Sequence, residues 1–119
     1  MKIRILGHRV RLRLTQSEVE KIGLNESVTE HTNFGVGQLT YTLETHAEGP
    51  SVLTSFEDST IRISVLQTEA KTWADSDQVG IQTPSDARPF VLIEKDFKCL
   101  TVREGEDESD MYLNPNTVC

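Results

Sequence analysis

Two thiols, three imidazoles and a run of carboxylates are the side chains of this 119-residue chain whose types could do chemistry. Cys99 as a nucleophile would need a base for its proton, and His8, His31 and His46 are the imidazoles available. No spacing brings one of them to the thiol, so a half-buried strand-end cysteine is the simpler reading. Cys99, Asp107, Asp110 and Cys119 carry donor atoms for a metal. Thiolates suit soft ions, however, clustered carboxylates suit hard ones, and the spacing imposes no geometry. The 19 residues between the cysteines match no zinc signature and build no disulfide framework. Glu94 and Asp96 share one face of a strand, as paired glycosidase carboxylates could, but a solvent-facing pair is the ordinary explanation. Gly35-Val36-Gly37 lacks the helix that a phosphate-binding loop opens. These patterns assign no catalytic residue and no cofactor; they favour a non-enzyme but leave the question open, with a metal- or thiol-dependent enzyme as the last alternative.

A more specific signal is cationic. Gly7-His8 between two alternating runs has the form of a two-residue hairpin turn, with glycine at the first central position, as a type II′ turn requires. Counting outward sets Ile5 opposite Val10 and Ile3 opposite Leu12 on one face, with Arg4 opposite Arg11 and Lys2 opposite Arg13 on the other. Like charges directly across an antiparallel pair cost on the order of 0.2–1 kcal/mol each, so this stripe calls for an anion. A second hairpin turning at Asp58-Ser59 places Ser55 opposite Arg62 and Leu53 opposite Ser64, and has no such concentration. Lys2, Arg4, Arg11 and Arg13 are therefore the candidate anion- or partner-binding residues.

Three anions are compatible with the stripe. The first is intramolecular: Glu18, Glu20 or the acidic run Glu104, Glu106, Asp107, Glu108 and Asp110. The second is a nucleic acid, whose phosphates suit a ribbon of arginines. The third is an acidic protein surface, including a second copy of this chain. Charge bears on the choice. Residues 1–21 hold six Lys or Arg against Glu18 and Glu20, a net of +4, which leaves −11 on residues 22–119 of a chain whose total is −7. That total disfavours nucleic acid and makes the two ends of the chain complementary.

The elements that must position these residues are short. An internal similarity lays Val10–Val19 over Ile61–Ala70 at an offset of 51, and the same offset carries Ile5 onto Phe56, Ile22 onto Trp73 and Leu39–Leu43 onto Phe90–Glu94. Each half reads as strand, strand, helix, strand, strand, at about 2–6, 9–14, 16–23, 26–33 and 38–46, then about 52–57, 60–65, 67–75, 77–83 and 89–97. Thr15 with Glu18 fits a capping box, Val19 and Ile22 give an apolar stripe, and Gly23 is the expected stop. Ala70, Trp73 and Ala74 offer the second helix the same face. The fold class is α+β, mostly β: a tandem ββαββ unit closing into a pseudo-twofold sheet or barrel, with two short helices plugging its ends. Residues 1–100 form one domain of two repeats, about 1–50 and 52–100, and 101–119 form an acidic C-terminal segment.

The half-repeat resembles the swapped-hairpin units of AbrB-type transition-state regulators, in which a strand leads into a short helix ending in Leu-Gly-Ile. Here Val10-Arg11-Leu12-Arg13-Leu14 is followed by Val19-Glu20-Lys21-Ile22-Gly23-Leu24, without the proline of that family. Over nearly its whole length the chain is similar to a family of small bacterial proteins with an Arg-Leu-Arg-Leu-Thr strand, here Arg11–Thr15, and a Glu-Lys-Asp-Phe-x-Cys-Leu end, here Glu94–Leu100. Where that family often has Phe-Pro before Asn-Pro, this chain has Tyr112-Leu113. The first resemblance implies a nucleic-acid-binding regulator; the second implies no activity. Arginines interrupt the apolar stretch of the N-terminus, so it is not read as a signal peptide, and no run can span a bilayer. The expectation is a cytoplasmic binding or regulatory module that binds protein or itself, with nucleic acid as the alternative and no membrane partner.

Overall fold

The computed structural model of the chain describes residues 1–98, 110, 112 and 113. Strict alternation builds the first hairpin: in β1 (Lys2–Leu6) and β2 (Arg9–Leu14), Val10, Leu12 and Leu14 are buried while Arg9, Arg11 and Arg13 face outward. Gly7 takes φ +57°, where a side chain would strain the turn, and the register is the expected one, with Arg4 opposite Arg11 and Lys2 opposite Arg13. The second hairpin, β5 (Val52–Glu57) and β6 (Thr60–Leu66), turns through Asp58 and Ser59, both at positive φ, with Ser55 opposite Arg62 and Leu53 opposite Ser64.

Helix α1 (Gln16–Gly23) starts where Thr15 closes β2's apolar run. The Glu18 carboxylate accepts the Thr15 amide at 2.9 Å, the return half of the capping box. Val19 and Ile22 are fully buried. The helix stops at Gly23 as expected, and Asn25, at φ 63°, turns the chain. What requires glycine is the neighbouring helix α2 (Gln67–Asp75), since a Cβ on residue 23 would lie 2.6 Å from the Cβ of Ala74. Ala70 and Trp73 are fully buried, and the indole Nε1 donates to the Val79 carbonyl at 3.0 Å.

The remaining strands are β3 (Val28–Asn33), β4 (Gln38–His46), β7 (Gly80–Gln82), β8 (Phe90–Lys95), β9 (Phe97–Lys98) and β10 (Tyr112–Leu113). Sheet A has the order β1-β2-β8-β7 and sheet B the order β3-β4-β6-β5, each with a central parallel pair flanked by antiparallel hairpin partners. The fold is thus α+β and mostly β, but the described residues form two four-stranded sheets and no closed barrel. Nor do the helices plug opposite ends: they pack on each other at the end where β2 and β6 finish, and the hairpin turns lie at the other. Burial explains the arrangement. Leu12, Leu14, Val91 and Ile93 from sheet A meet Leu43, Ile63 and Val65 from sheet B, with Trp73 and Ile22 covering the helix end.

At the turn end the sheets leave an apolar cleft of about 580 Å³ between Ile5, Val10 and Val91 on one side and Leu39, Phe56 and Ile61 on the other. β7 is shorter than the expected 77–83; just before it the Val79 carbonyl accepts both the Trp73 indole and the Lys95 amide of β8, which ties α2 to this hairpin. Lys95 is itself buried. Its ammonium donates to the Ser76 carbonyl at 2.7 Å, at the C-terminus of α2 where a cation is favoured, and burial holds its pKa below the ordinary lysine value. No described helix is long and apolar enough to cross a membrane.

Candidate anion-binding face

The parallel pairing of β2 with β8 decides what lies beside the cationic stripe. Its register sets Arg9 beside Phe90, Arg11 beside Leu92 and Arg13 beside Glu94, so the outer face of sheet A carries β8 side chains next to the arginines. The Glu94 carboxylate pairs with the Arg11 guanidinium and stands 3.9 Å from that of Arg13. The carboxylate of Asp96, 3 % exposed, lies 3.2 Å from the Lys2 ammonium. Two acids read from sequence as a solvent-facing pair therefore serve as counter-charges to the stripe among the described residues, Glu94 from the neighbouring strand β8 and Asp96 from the position that follows its end.

Two of the other expected intramolecular anions, Glu18 and Asp110, have partners elsewhere. Glu18 accepts the Thr15 amide and the Met1 amine, the latter at 2.5 Å. Asp110 lies at the start of α1. Its carboxylate accepts the Ser17 hydroxyl at 2.5 Å and the Ser17 amide at 3.2 Å, and its carbonyl accepts the Gln16 amide at 2.9 Å. The hydrogen bond from the Ser17 hydroxyl is the main cause holding the Asp110 carboxyl below its ordinary pKa. Residues 104–109, Cys99 and Cys119 lie outside the described residues, and so does Asp107 of the metal-donor set. Among the described residues no group of three or more His, Cys, Asp or Glu is placed to hold a metal.

Toward the turn end the face changes character. Arg4 makes no ion pair or side-chain hydrogen bond among the described residues, although it faces Arg11 across the hairpin. The Arg9 guanidinium lies over the Phe90 ring, 4.9 Å from its centroid. Arg4, Arg9 and Arg11 surround a shallow cleft of about 320 Å³ whose floor includes Leu6, Phe90 and Leu92. A second hollow, of about 190 Å³, runs beside it along Lys2, Arg4, Arg11 and Arg13. The four stripe residues of the sequence reading thus share one face. Arg9, Leu6, Phe90 and Leu92 complete it and were missed, although the alternation that set Arg11 and Arg13 outward also sets Arg9 outward.

Sheet B offers a comparison. Its equivalent outer face carries an Arg62–Glu44 pair at 2.5 Å beside Thr, Ser and His side chains. There His46 lies 2.7 Å from the Ser64 hydroxyl. Its other ring nitrogen, 2.6 Å from the Pro50 carbonyl, must be the donor, which leaves Nδ1 to accept from Ser64. The pair is a hydrogen-bonded link between β4, β6 and the 47–51 loop.

No curated protein and no solved structure matches the chain. By the match of its model to residues 1–116, the chain belongs to a family of unknown function, DUF7009.

Proposed function

We propose that this chain is a binding module whose outer sheet A face, centred on Arg4, Arg9 and Arg11, holds an acidic protein segment carrying apolar side chains. The observation that carries the reading is the combination at one place of an arginine with no counter-charge among the described residues and a floor of Leu6, Phe90 and Leu92. An acidic residue on the partner would relieve the Arg4–Arg11 repulsion, while an apolar neighbour would cover the floor. Glu94 and Asp96 break the stripe at the helix end, so no long cationic track remains for a phosphate backbone.

We further infer that the chain is a tandem duplication of one ββαββ unit. Supporting this, β1, β2, β8 and β7 in sheet A stand to one another as β5, β6, β4 and β3 do in sheet B. Arg62 follows Arg11 by 51 positions, and Glu44 precedes Glu94 by 50, so the parallel registers place the same Arg–Glu pair in both sheets. At the positions of Lys2, Arg4 and Arg9 the other copy has Leu53, Ser55 and Thr60. The cations therefore belong to one copy alone, as a site would and a packing requirement of the fold would not.

The test uses a fluorescently labelled peptide of alternating Glu and Leu and a labelled single-stranded DNA of equal charge, with anisotropy as the readout. The peptide should bind the wild-type chain in a salt-sensitive way. The Arg4→Glu, Arg9→Glu double variant should bind it about tenfold more weakly, or about 1.4 kcal/mol. Equal binding by both proteins, or none at low salt, overturns the reading. DNA binding that exceeds peptide binding and depends on the same arginines would replace it with the nucleic-acid reading.

The cleft of about 580 Å³ between the sheets favours a second reading, a site for a small apolar ligand. An environment-sensitive naphthalene dye should brighten with the native protein and be displaced from Val10→Phe, which fills the cleft. Dye fluorescence equal in both proteins counts against it.

A further inference from the structure

We infer that β5 is the surface through which this chain pairs with a second copy of itself. An edge strand shows a row of unpaired backbone groups, and proteins that remain monomeric blunt such edges with lysine, proline, inward charge or brevity. β7 is short, β1 carries Lys2 and Arg4, and β3, the other edge of sheet B, carries the inward-facing Glu30 and no exposed large apolar side chain. Pairing two copies of β1 about Arg4 would oppose arginine to arginine. β5 has none of these protections. Leu53, Thr54, Ser55, Phe56 and Glu57 are all exposed, Phe56 by 69 %, and none of the strand's residues is Lys, Arg or Pro.

Hydrogen bonding sets the register. The Leu66 amide donates to the Ser51 carbonyl at 2.9 Å, so Ser51 and Leu66 are a hydrogen-bonded pair of the β5–β6 ladder. Alternation then commits Leu53, Ser55 and Glu57 to β6 and turns the N–H and C=O groups of Val52, Thr54 and Phe56 toward the open edge. An antiparallel copy centred on Thr54 opposes Val52 to the partner's Phe56, Thr54 to the partner's Thr54, and Phe56 to the partner's Val52. Each of these residues then exchanges both of its backbone hydrogen bonds. A slip of two residues either way leaves one of them unpaired.

Side chains favour the same register. Val52 and the partner's Phe56 form an apolar cross-strand pair on the inner face, once on each side of the axis. Leu53 stands opposite the partner's Ser55, and Glu57 opposite the partner's Ser51, so no like charges meet. The product is one continuous sheet, β3-β4-β6-β5 running into the partner's β5-β6-β4-β3, closed by a twofold axis. That axis is perpendicular to the sheet, so both cationic sheet A faces lie on the same side of the dimer. The pairing itself does not depend on what those faces bind.

Sedimentation of the full chain over a wide concentration range tests the proposal. The expected wild-type mass at high concentration is twice that of the chain. Thr54→Pro removes an amide that faces the open edge and that β6 does not use, so it should halve that mass and leave the circular dichroism spectrum unchanged. Leu53→Lys should act likewise, and it decides the matter if the proline variant does not fold. Thr54→Cys, with Cys99→Ser and Cys119→Ser, should crosslink into a covalent dimer on mild oxidation, because directly opposed hydrogen-bonded residues have Cα atoms about 5.5 Å apart. A wild-type chain that stays at single mass overturns the proposal, as does a dimer that survives both edge variants. A chain that gains mass only with a foreign extended peptide replaces the second copy with that partner.

Discussion

Arg11 and Glu94 meet diagonally across the parallel strands β2 and β8, since the residue directly beside Glu94 is Arg13. One carboxylate therefore serves two guanidinium groups, and it sits where the cationic stripe passes from its neutralised half to its open half.

Glu94→Gln should convert the neutralised half into binding surface. Arg11 and Arg13 lose their counter-charge, so an acidic peptide should bind more tightly, by up to roughly fivefold if one partly exposed pair is worth about 1 kcal/mol. Stability should fall by no more than about that amount. The control is Glu44→Gln, which breaks the equivalent pair with Arg62 on sheet B and should leave peptide binding unchanged. Anisotropy titrations and chemical denaturation of the two variants check both statements. Equal effects would show that the gain comes from net charge and not from the released arginines.

Asp110 predicts a pH dependence. Its carboxyl is held below the ordinary value of 3.8, chiefly by the Ser17 hydroxyl, so its folded pKa lies below its unfolded one. A depressed acid stabilises the folded state fully above its unfolded pKa, and that contribution disappears as pH falls through the folded pKa. Asp110→Asn should therefore lower the melting temperature by a constant amount at neutral and mildly acidic pH. The gap between the two proteins should close only below the ordinary carboxylate range. A gap independent of pH down to strong acid would mean that Ser17 is held by hydrogen-bond geometry alone and the charge contributes nothing.

What was legible in the sequence, and what was not, follows the reach of each interaction. Gly7-His8 and Asp58-Ser59 are two-residue turns that fix their own registers, so Arg4 opposite Arg11 and Ser55 opposite Arg62 could be counted off. The parallel pairs β2–β8 and β4–β6 have no local signature, because nothing between Leu14 and Phe90 specifies that these strands meet. Glu94 and Asp96 consequently looked like ordinary surface acids, and the stripe looked more exposed than it is. A closed barrel was the natural product of two one-faced units. The chain instead divides its hairpins between two sheets and closes the core with both helices at one end.

The contact between those helices gives the sharpest test of the fold. Gly23 and Ala74 meet so closely that a Cβ on residue 23 would stand 2.6 Å from the Ala74 Cβ, a separation that forces the helices apart. Gly23→Ala should gain helix propensity, worth about 1 kcal/mol in an open helix, yet lose more by overpacking at about 1–3 kcal/mol. The net effect should be destabilising. Ala74→Gly alone should also destabilise, because it removes a methyl packed against the core and adds backbone freedom to α2. Combined, the two substitutions exchange which helix supplies the methyl group, so the double variant should be more stable than the sum of the single losses implies. A double-mutant cycle by denaturant unfolding measures that coupling, expected at about 1 kcal/mol or more for groups in direct contact. Additive losses would mean that the helices do not approach each other at this point.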